Sequence, residues 1–328
     1  MSLDDSRRDT RVLGRSGQTL LSWTGRRNQL IEVPATRFER AASLLAWADF
    51  RGSSRHTELV NDLKRYVLKR RRRCKFPASE QVFFGKYQPG KPWAIYFIYC
   101  PESVGLSEQK ESLKNLRDQG FNILAVCASE RDSAVLDEFR HLVDAMIWKE
   151  LQGYDFSAYL LGARLLVDRF GSVDSLLLND SVLGPYTDVM PLMEHSPWRV
   201  AGLTSARSVQ DHFQSYCLLI KGLDAEIVSS LEAVISESSV FDSHRDVVFF
   251  QETSLAHVMA KRFTAGSILA PLHGHELQIV VGNPEGLSRL GFPFIKKSIF
   301  GKFSKNFNQE HYRAILAEMR KSSAQSGK

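Results

Sequence analysis

Among these 328 residues there are only 4 cysteines, and Cys74, Cys100, Cys127 and Cys217 show no CxxC spacing. A disulfide framework and a cysteine zinc site are therefore not expected, and the thiols in apolar runs read as small core hydrophobes. The longest apolar stretches, Trp93 to Cys100 and Ile123 to Cys127, are strand-sized and far short of the ~20 residues of a spanning helix. MSLDDSRRDT has acids beside arginines and no apolar core, which predicts a cytoplasmic protein without secretory signal or transit peptide. No GxGxxG follows a strand, and GK[ST] phosphate loops, HExxH and internal repeats are missing too, which argues against several large enzyme classes.

What is present is a chain with 43% hydrophobic and 24% charged residues, enough for one large core with an appendage. Its net charge of +6 is unevenly spread: residues 1–92 hold 20 Lys and Arg against 9 Asp and Glu, so the remainder is net acidic. LKRYVLKRRRRCK supplies much of that excess, with five consecutive cations from Lys69 to Arg73. Residues 1–30 read as a flexible tail and residues 31–92 as a basic helical extension and connector. The helices are expected between Ala35 and Leu68, where Leu44, Leu45, Trp47, Leu59, Leu63 and Val67 recur at amphipathic spacing. Pro77 to Pro92 reads as the connector.

From Trp93 the pattern becomes strands alternating with helices: WAIYFIYC, Ser107 to Gln119, NILAVCA, Ala134 to Val143, AMIW. Nearly continuous apolar strands between helices predict a mostly parallel sheet covered on both faces. Gly120 and Gly171 read as helix stops. SLLLNDS turns polar at Asn179, and ligands in open α/β sheets bind beyond the carboxyl ends of strands, so chemistry is expected to begin there. The main domain spans residues 93–310, and residues 311–328 form a C-terminal helix and tail.

Polar clusters stand at element ends. Asp180, flanked by Asn179 and Ser181, is an oxygen ligand that could hold Mg²⁺ or Mn²⁺ on a diphosphate; the plain alternative is an Asx turn. Tyr154 and Asp155 precede a helix, with Asp155 expected at the N-cap. His212, Gln214 and Tyr216 lead into YCLLIKG. Glu252 is a candidate base, or only a first-turn helix acid. His273 and His275 offer imidazoles in a loop. Lys296 and Lys297 follow an apolar wedge, where a cation could neutralise a diphosphate; the alternative is a solvated charge pair.

The order of these pieces, GYDFSAYLLG, LLLNDSVLGPY, HFQSYCLLIK, QETSLAHVM and GFPFIKKSIF over residues 93–300, resembles the rhamnan synthesis F family of polysaccharide glycosyltransferases. The resemblance implies a GT-A-like nucleotide-sugar-binding fold. It implies transfer of a sugar, rhamnose or another deoxyhexose, from a nucleotide-diphosphate donor to a lipid-linked oligosaccharide or growing surface polysaccharide of O-antigen, capsule or rhamnan type. Tyr154, Asp155, Asn179, Ser181, Lys296 and Lys297 would bind donor; His212, Gln214 and Tyr216 would bind acceptor; Glu252 and Asp180 would act in catalysis. The Asp-x-Asp of many GT-A enzymes is absent, so a metal on Asp180 with help from His273 and a metal-independent site both stay open. The basic run would favour the inner face of an anionic inner membrane, at about 1 kcal/mol per cation near the surface. Two other readings are a non-catalytic glycan-binding or scaffold protein of the same fold, and a nucleic-acid binder acting through the basic run.

Overall fold

A computed structural model describes residues 45–46, 72–101, 105–131, 134–206, 212–269, 279–282, 284–289 and 291–326. The chain enters through three short strands, β1 (Leu45–Ala46), β2 (Arg73–Lys75) and β3 (Ser79–Phe84). The first parallel units follow as β4 (Trp93–Tyr99), α1 (Ser107–Asp118), β5 (Asn122–Ala128), α2 (Val135–Arg140) and β6 (Ala145–Lys149). Next come α3 (Tyr154–Phe170), β7 (Val173–Asn179), β8 (Val182–Leu183), α4 (Met190–His195), β9 (Val200–Ala206), β10 (His212–Phe213) and β11 (Cys217–Leu223). Then α5 (Ala225–Ile235), β12 (Ser239–Phe241) and α6 (His244–Val247) lead through a π turn at Val248–Glu252 into α7 (Thr253–Ala260) and β13 (Ala265–Leu269). The chain ends with α8 (Ile279–Gly282), α9 (Pro284–Arg289), β14 (Ile295–Lys296) and α10 (Gln309–Ser326).

The central sheet has the order β1-β13-β9-β11-β7-β4-β5-β6-β3, with β10 added on β9. Strands β4, β5, β6, β7, β9 and β13 share one direction, and β3 and β11 run against it. The mostly parallel α/β sheet expected from the sequence is therefore present. Its residues alternate between two cores: Ala94, Tyr96 and Ile98 of β4 join α1 on one face, while Trp93, Ile95 and Phe97 join α3 and α5 on the other. Both faces are dry, which is why β4 and β5 carry no alternating polar residues.

From β4 the chain moves outward to β5 and β6, then returns across β4 to β7. That reversal is a topological switch point at the carboxyl ends of β4 and β7, the kind of place where open α/β sheets take ligands. Gly120 (φ 89°) and Gly171 (φ 72°) stop α1 and α3 in conformations that L side chains resist, as expected.

Two local expectations change. The segment from Pro77 to Pro92 carries β3, which pairs antiparallel with β6 at the sheet edge. Exposed residues such as Ser79 and Glu80 hide it, because an edge strand needs little apolar surface. Leu45–Ala46, expected to be helical, pairs antiparallel with β13, since that edge has free backbone groups to satisfy. The rest of the helices expected between Ala35 and Leu68 lies outside the described residues.

Part of the basic run is used inside the fold. Arg72 bonds Asp246 at 2.6 Å, and Arg73, in β2 against β12, lies 5.3 Å from the Phe241 ring centroid.

Candidate functional site

The carboxyl ends of β4 and β7 are tied together at Asp180. Its N–H donates to Phe97 O at 3.1 Å, and its Oδ2 accepts from Tyr99 N at 3.2 Å and Gln109 Nε2 at 3.3 Å. Loss of water around this strand end raises the Asp180 carboxyl above its ordinary pKa, and Lys297 and the Gln109 and Tyr99 donors pull it back.

Beside it runs a continuous polar chain. Lys296 Nζ donates to Ser181 Oγ at 2.9 Å, and Ser181 donates through Oγ and N–H to Asn179 Oδ1. Asn179 Nδ2 donates to Asp155 Oδ2 at 2.7 Å, and the same oxygen accepts from Ser215 Oγ at 2.9 Å. Ser215 N–H then donates to Glu252 Oε1 at 2.7 Å. Five of the residues expected at the site from the sequence, Asp155, Asn179, Ser181, Glu252 and Lys296, thus meet through one network that β7, α3, the β11 approach, the π turn and β14 each help to build.

Asp155 enters differently than expected. Gly153, at φ 85°, is the N-cap of α3, and Asp155 lies in the first turn. The residue is 7% exposed: Oδ2 is turned inward onto Asn179 and Ser215, while Oδ1 accepts the first-turn N–H of Phe156 at 3.1 Å. Tyr154 takes φ 49°, a left-handed conformation uncommon outside glycine, and stays exposed at the start of α3.

Glu252 closes a π turn, a device often found at functional sites, rather than opening an α-helix. Burial raises its carboxyl pKa; His212, the Ser215 N–H and Lys296 pull it down, and Asp155 pushes it further up. Lys296 is brought down to about 8 by burial, against the upward pull of Glu252, Asp155 and Asp180. It also lies 4.7 Å from the Tyr216 ring centroid. Lys297 pairs with Glu108 at 3.1 Å, and its N–H bonds Ser181 O at 3.0 Å.

The residues expected to meet an acceptor are inside the protein. His212, Gln214 and Tyr216 are 3%, 3% and 1% exposed. Thr204 Oγ1 lies 2.6 Å from Gln214 Oε1 and 2.9 Å from the Tyr216 hydroxyl, so both side chains brace β9 against the approach to β11. His273 lies outside the described residues. Among the described residues no three His, Cys, Asp or Glu side chains come together as metal ligands. A lone Asp180 faced by Lys297 is a poor fit for a divalent cation, which takes several oxygen ligands.

Ser215, Gln109 and Lys149 are members that sequence reasoning missed. Ser215 had one cue, a polar residue in HFQSYCLLIK ahead of an apolar run; the other two had none. Lys149 ends β6 with 0% exposure, donating Nζ to Glu150 O at 2.8 Å and Gln152 O at 2.7 Å, and so pins the loop into α3. Burial brings its pKa down to about 7, against Asp242, Asp155 and Glu150. Below pH 7 both folded and unfolded chains hold this proton, and the charge penalty is fully present. Between pH 7 and the unfolded value near 10.5 only the unfolded chain holds it, so stability gains with rising pH. Relative to Lys149→Met, wild type should gain up to about 1.4 kcal/mol per pH unit in that window by urea unfolding, whereas parallel pH curves would remove the buried charge.

No family model matches the chain, and no curated protein matches it. Among solved structures, a crystal structure of UDP-glucose pyrophosphorylase complexed with UDP-glucose is similar over 54% of this chain and 90% of that one, at 10% identity and a TM-score of 0.33. So distant a likeness leaves the site to be read from its own residues.

Proposed function

We propose that this protein is a glycosyltransferase of GT-A-like fold that moves a sugar from a nucleotide-diphosphate donor to a surface-polysaccharide acceptor, as members of the rhamnan synthesis F family do. The observation that carries the reading is the polar chain from Lys296 to Glu252, laid across the switch point of the sheet with Lys297 and Asp180 at its side. It sets fixed cations near one end and a carboxylate with a raised pKa at the other. A displacement with a diphosphate leaving group needs both. The order of motifs along residues 93–300 supports the same reading.

In this mechanism the acceptor oxygen forms a bond to the anomeric carbon as the bond to the diphosphate oxygen breaks. Glu252 takes the acceptor proton, and the diphosphate leaves with the bonding electron pair towards Lys296 and Lys297. Tyr154, Asp155, Asn179 and Ser181 shape the donor side. Gln214 and Tyr216 act from beneath the site, and His212 adds its field to Glu252. Among the described residues no helix is long and apolar enough to cross a membrane. The basic run of the sequence from Lys69 to Arg73 supports contact with an anionic membrane surface that carries a lipid-linked acceptor.

Thermal unfolding against a panel of nucleoside diphosphates and nucleotide-sugars tests the reading. One base series should stabilise selectively, by about 2.7 kcal/mol at a hundredfold excess over Kd. Stabilisation by nucleic acid, with none by any nucleotide, would favour the binding-protein reading of the basic run.

A further inference from the structure

We propose that the diphosphate subsite of this protein works without a metal ion, with Lys296 and Lys297 as the fixed countercharge at the ends of β4 and β7. The inference rests on the transferase reading only for the identity of the diphosphate's owner. Three observations carry it.

The first is the donor set. Among the described residues the carboxylate at the ends of β4 and β7 is Asp180, which accepts from Tyr99 N and Gln109 Nε2 on one oxygen and lies in the field of Lys297. Its neighbours are committed as well: Asn179 Oδ1 receives Ser181, and Asp155 Oδ2 receives Asn179 and Ser215. A divalent ion would have to displace these donors and settle beside ammonium groups. A diphosphate would take the place of Glu108 on Lys297 Nζ and share Lys296 Nζ with Ser181, exchanging anion for anion at cations that are already there.

The second is how the lysines are held. Lys296 lies opposite Val182 in the β8–β14 pairing, with its Nζ on Ser181 Oγ and near the Tyr216 ring. Lys297 is fixed at both ends, by Ser181 O on its N–H and Glu108 on its Nζ. Ser181 thus receives one lysine through its side chain and the other through its backbone, which sets both cations at one strand end.

The third is the rigidity of their support. Leu183, Tyr186, Ile295 and Ile299 form a separate apolar cluster with Leu316 and Met319 of α10. Arg320 of α10 clasps Glu111 of α1 with contacts of 2.8 and 2.6 Å. The ribbon that carries the lysines is therefore braced against the helix that carries Gln109 and Glu108. A backbone braced in this way sets both cations at the strand end before phosphate arrives, which is the advantage a bound metal otherwise supplies.

Calorimetry on the full chain tests this, with inorganic pyrophosphate and a nucleoside diphosphate panel as probes, in EDTA and in Mn²⁺. Pyrophosphate affinity should agree within about twofold between the two conditions. Lys296→Met and Lys297→Met should each weaken it by roughly 10- to 100-fold, with Lys296→Arg retaining most of it, because two charge-assisted contacts are lost or kept. Circular dichroism of each variant checks that it is folded. Binding seen only with Mn²⁺, or affinity indifferent to both lysines, overturns the inference while leaving a metal-assisted transferase standing. Metal-free pyrophosphate binding without any nucleotide binding keeps the subsite and sinks the nucleotide-sugar reading. No binding of either probe overturns both.

Discussion

Glu252→Gln should lower sugar transfer by roughly 10²- to 10⁴-fold while nucleotide affinity stays within about twofold, the pattern of a lost general base. Glutamine keeps an oxygen to accept the Ser215 N–H, so the network and the fold survive the change. What is lost is the proton acceptor and the negative charge beside Lys296. Because Glu252 is the largest upward pull on Lys296, its removal should also move the alkaline limb of the pH profile below pH 8. In wild type the rate should rise as Glu252 ionises and fall as Lys296 loses its proton near pH 8. A Glu252→Gln enzyme with normal turnover, measured by steady-state kinetics across pH, would take Glu252 out of the chemistry.

Asn179→Asp should be the most destabilising conservative change at the site. The Asn179 amide donates to Asp155 across 2.7 Å at a position only 7% exposed. Exchanging that N–H₂ for a carboxylate oxygen sets two buried acids against each other, and one must keep its proton or the pair must separate. The carboxyl pKa in the folded state is then raised. The penalty is absent below the unfolded value near pH 4, grows as pH rises towards the folded pKa, and is full above it. A rise of about two units corresponds to about 3 kcal/mol at pH 8. Urea unfolding at pH 4 and pH 8 separates this from simple misfolding, because the deficit should shrink in acid. An equal deficit at both pH values would mean that the amide acts only through its shape.

The sheet was legible wherever burial imposed a composition. WAIYFIYC and NILAVCA are apolar throughout because both faces of β4 and β5 are covered, and Gly120 and Gly171 stand where helices end at positive φ. β3 was not legible, since an edge strand need not be apolar, and the antiparallel direction of β11 leaves no trace in YCLLIKG. Acids at element ends drew notice, as did Asn179, Ser181, Lys296 and Lys297, but the pairings among them did not. Ser181 and Lys296 are 115 residues apart, Asp155 and Ser215 are 60 apart, and Ser215 and Glu252 are 37 apart. Spacing along the chain carries no information about such pairings. The inward turn of Asp155 is the instructive case: first-turn acids read as caps because the local N–H groups are the nearest donors in sequence. Here Gly153 is the N-cap of α3, and Asp155 serves both sides, its Oδ1 accepting the local Phe156 N–H and its Oδ2 the distant Asn179 and Ser215.

The central claim is that the polar network at the ends of β4 and β7 transfers sugar from a nucleotide donor. Incubation of the purified full chain with radiolabelled nucleotide-sugars and a lipid-linked oligosaccharide, followed by extraction of the lipid phase, tests it most directly. Label from one donor should enter the lipid fraction with equimolar release of nucleoside diphosphate, and Glu252→Gln should stop it. Selective donor binding with neither transfer nor diphosphate release, across the donor panel, would contradict catalysis and leave a glycan-binding or scaffold protein.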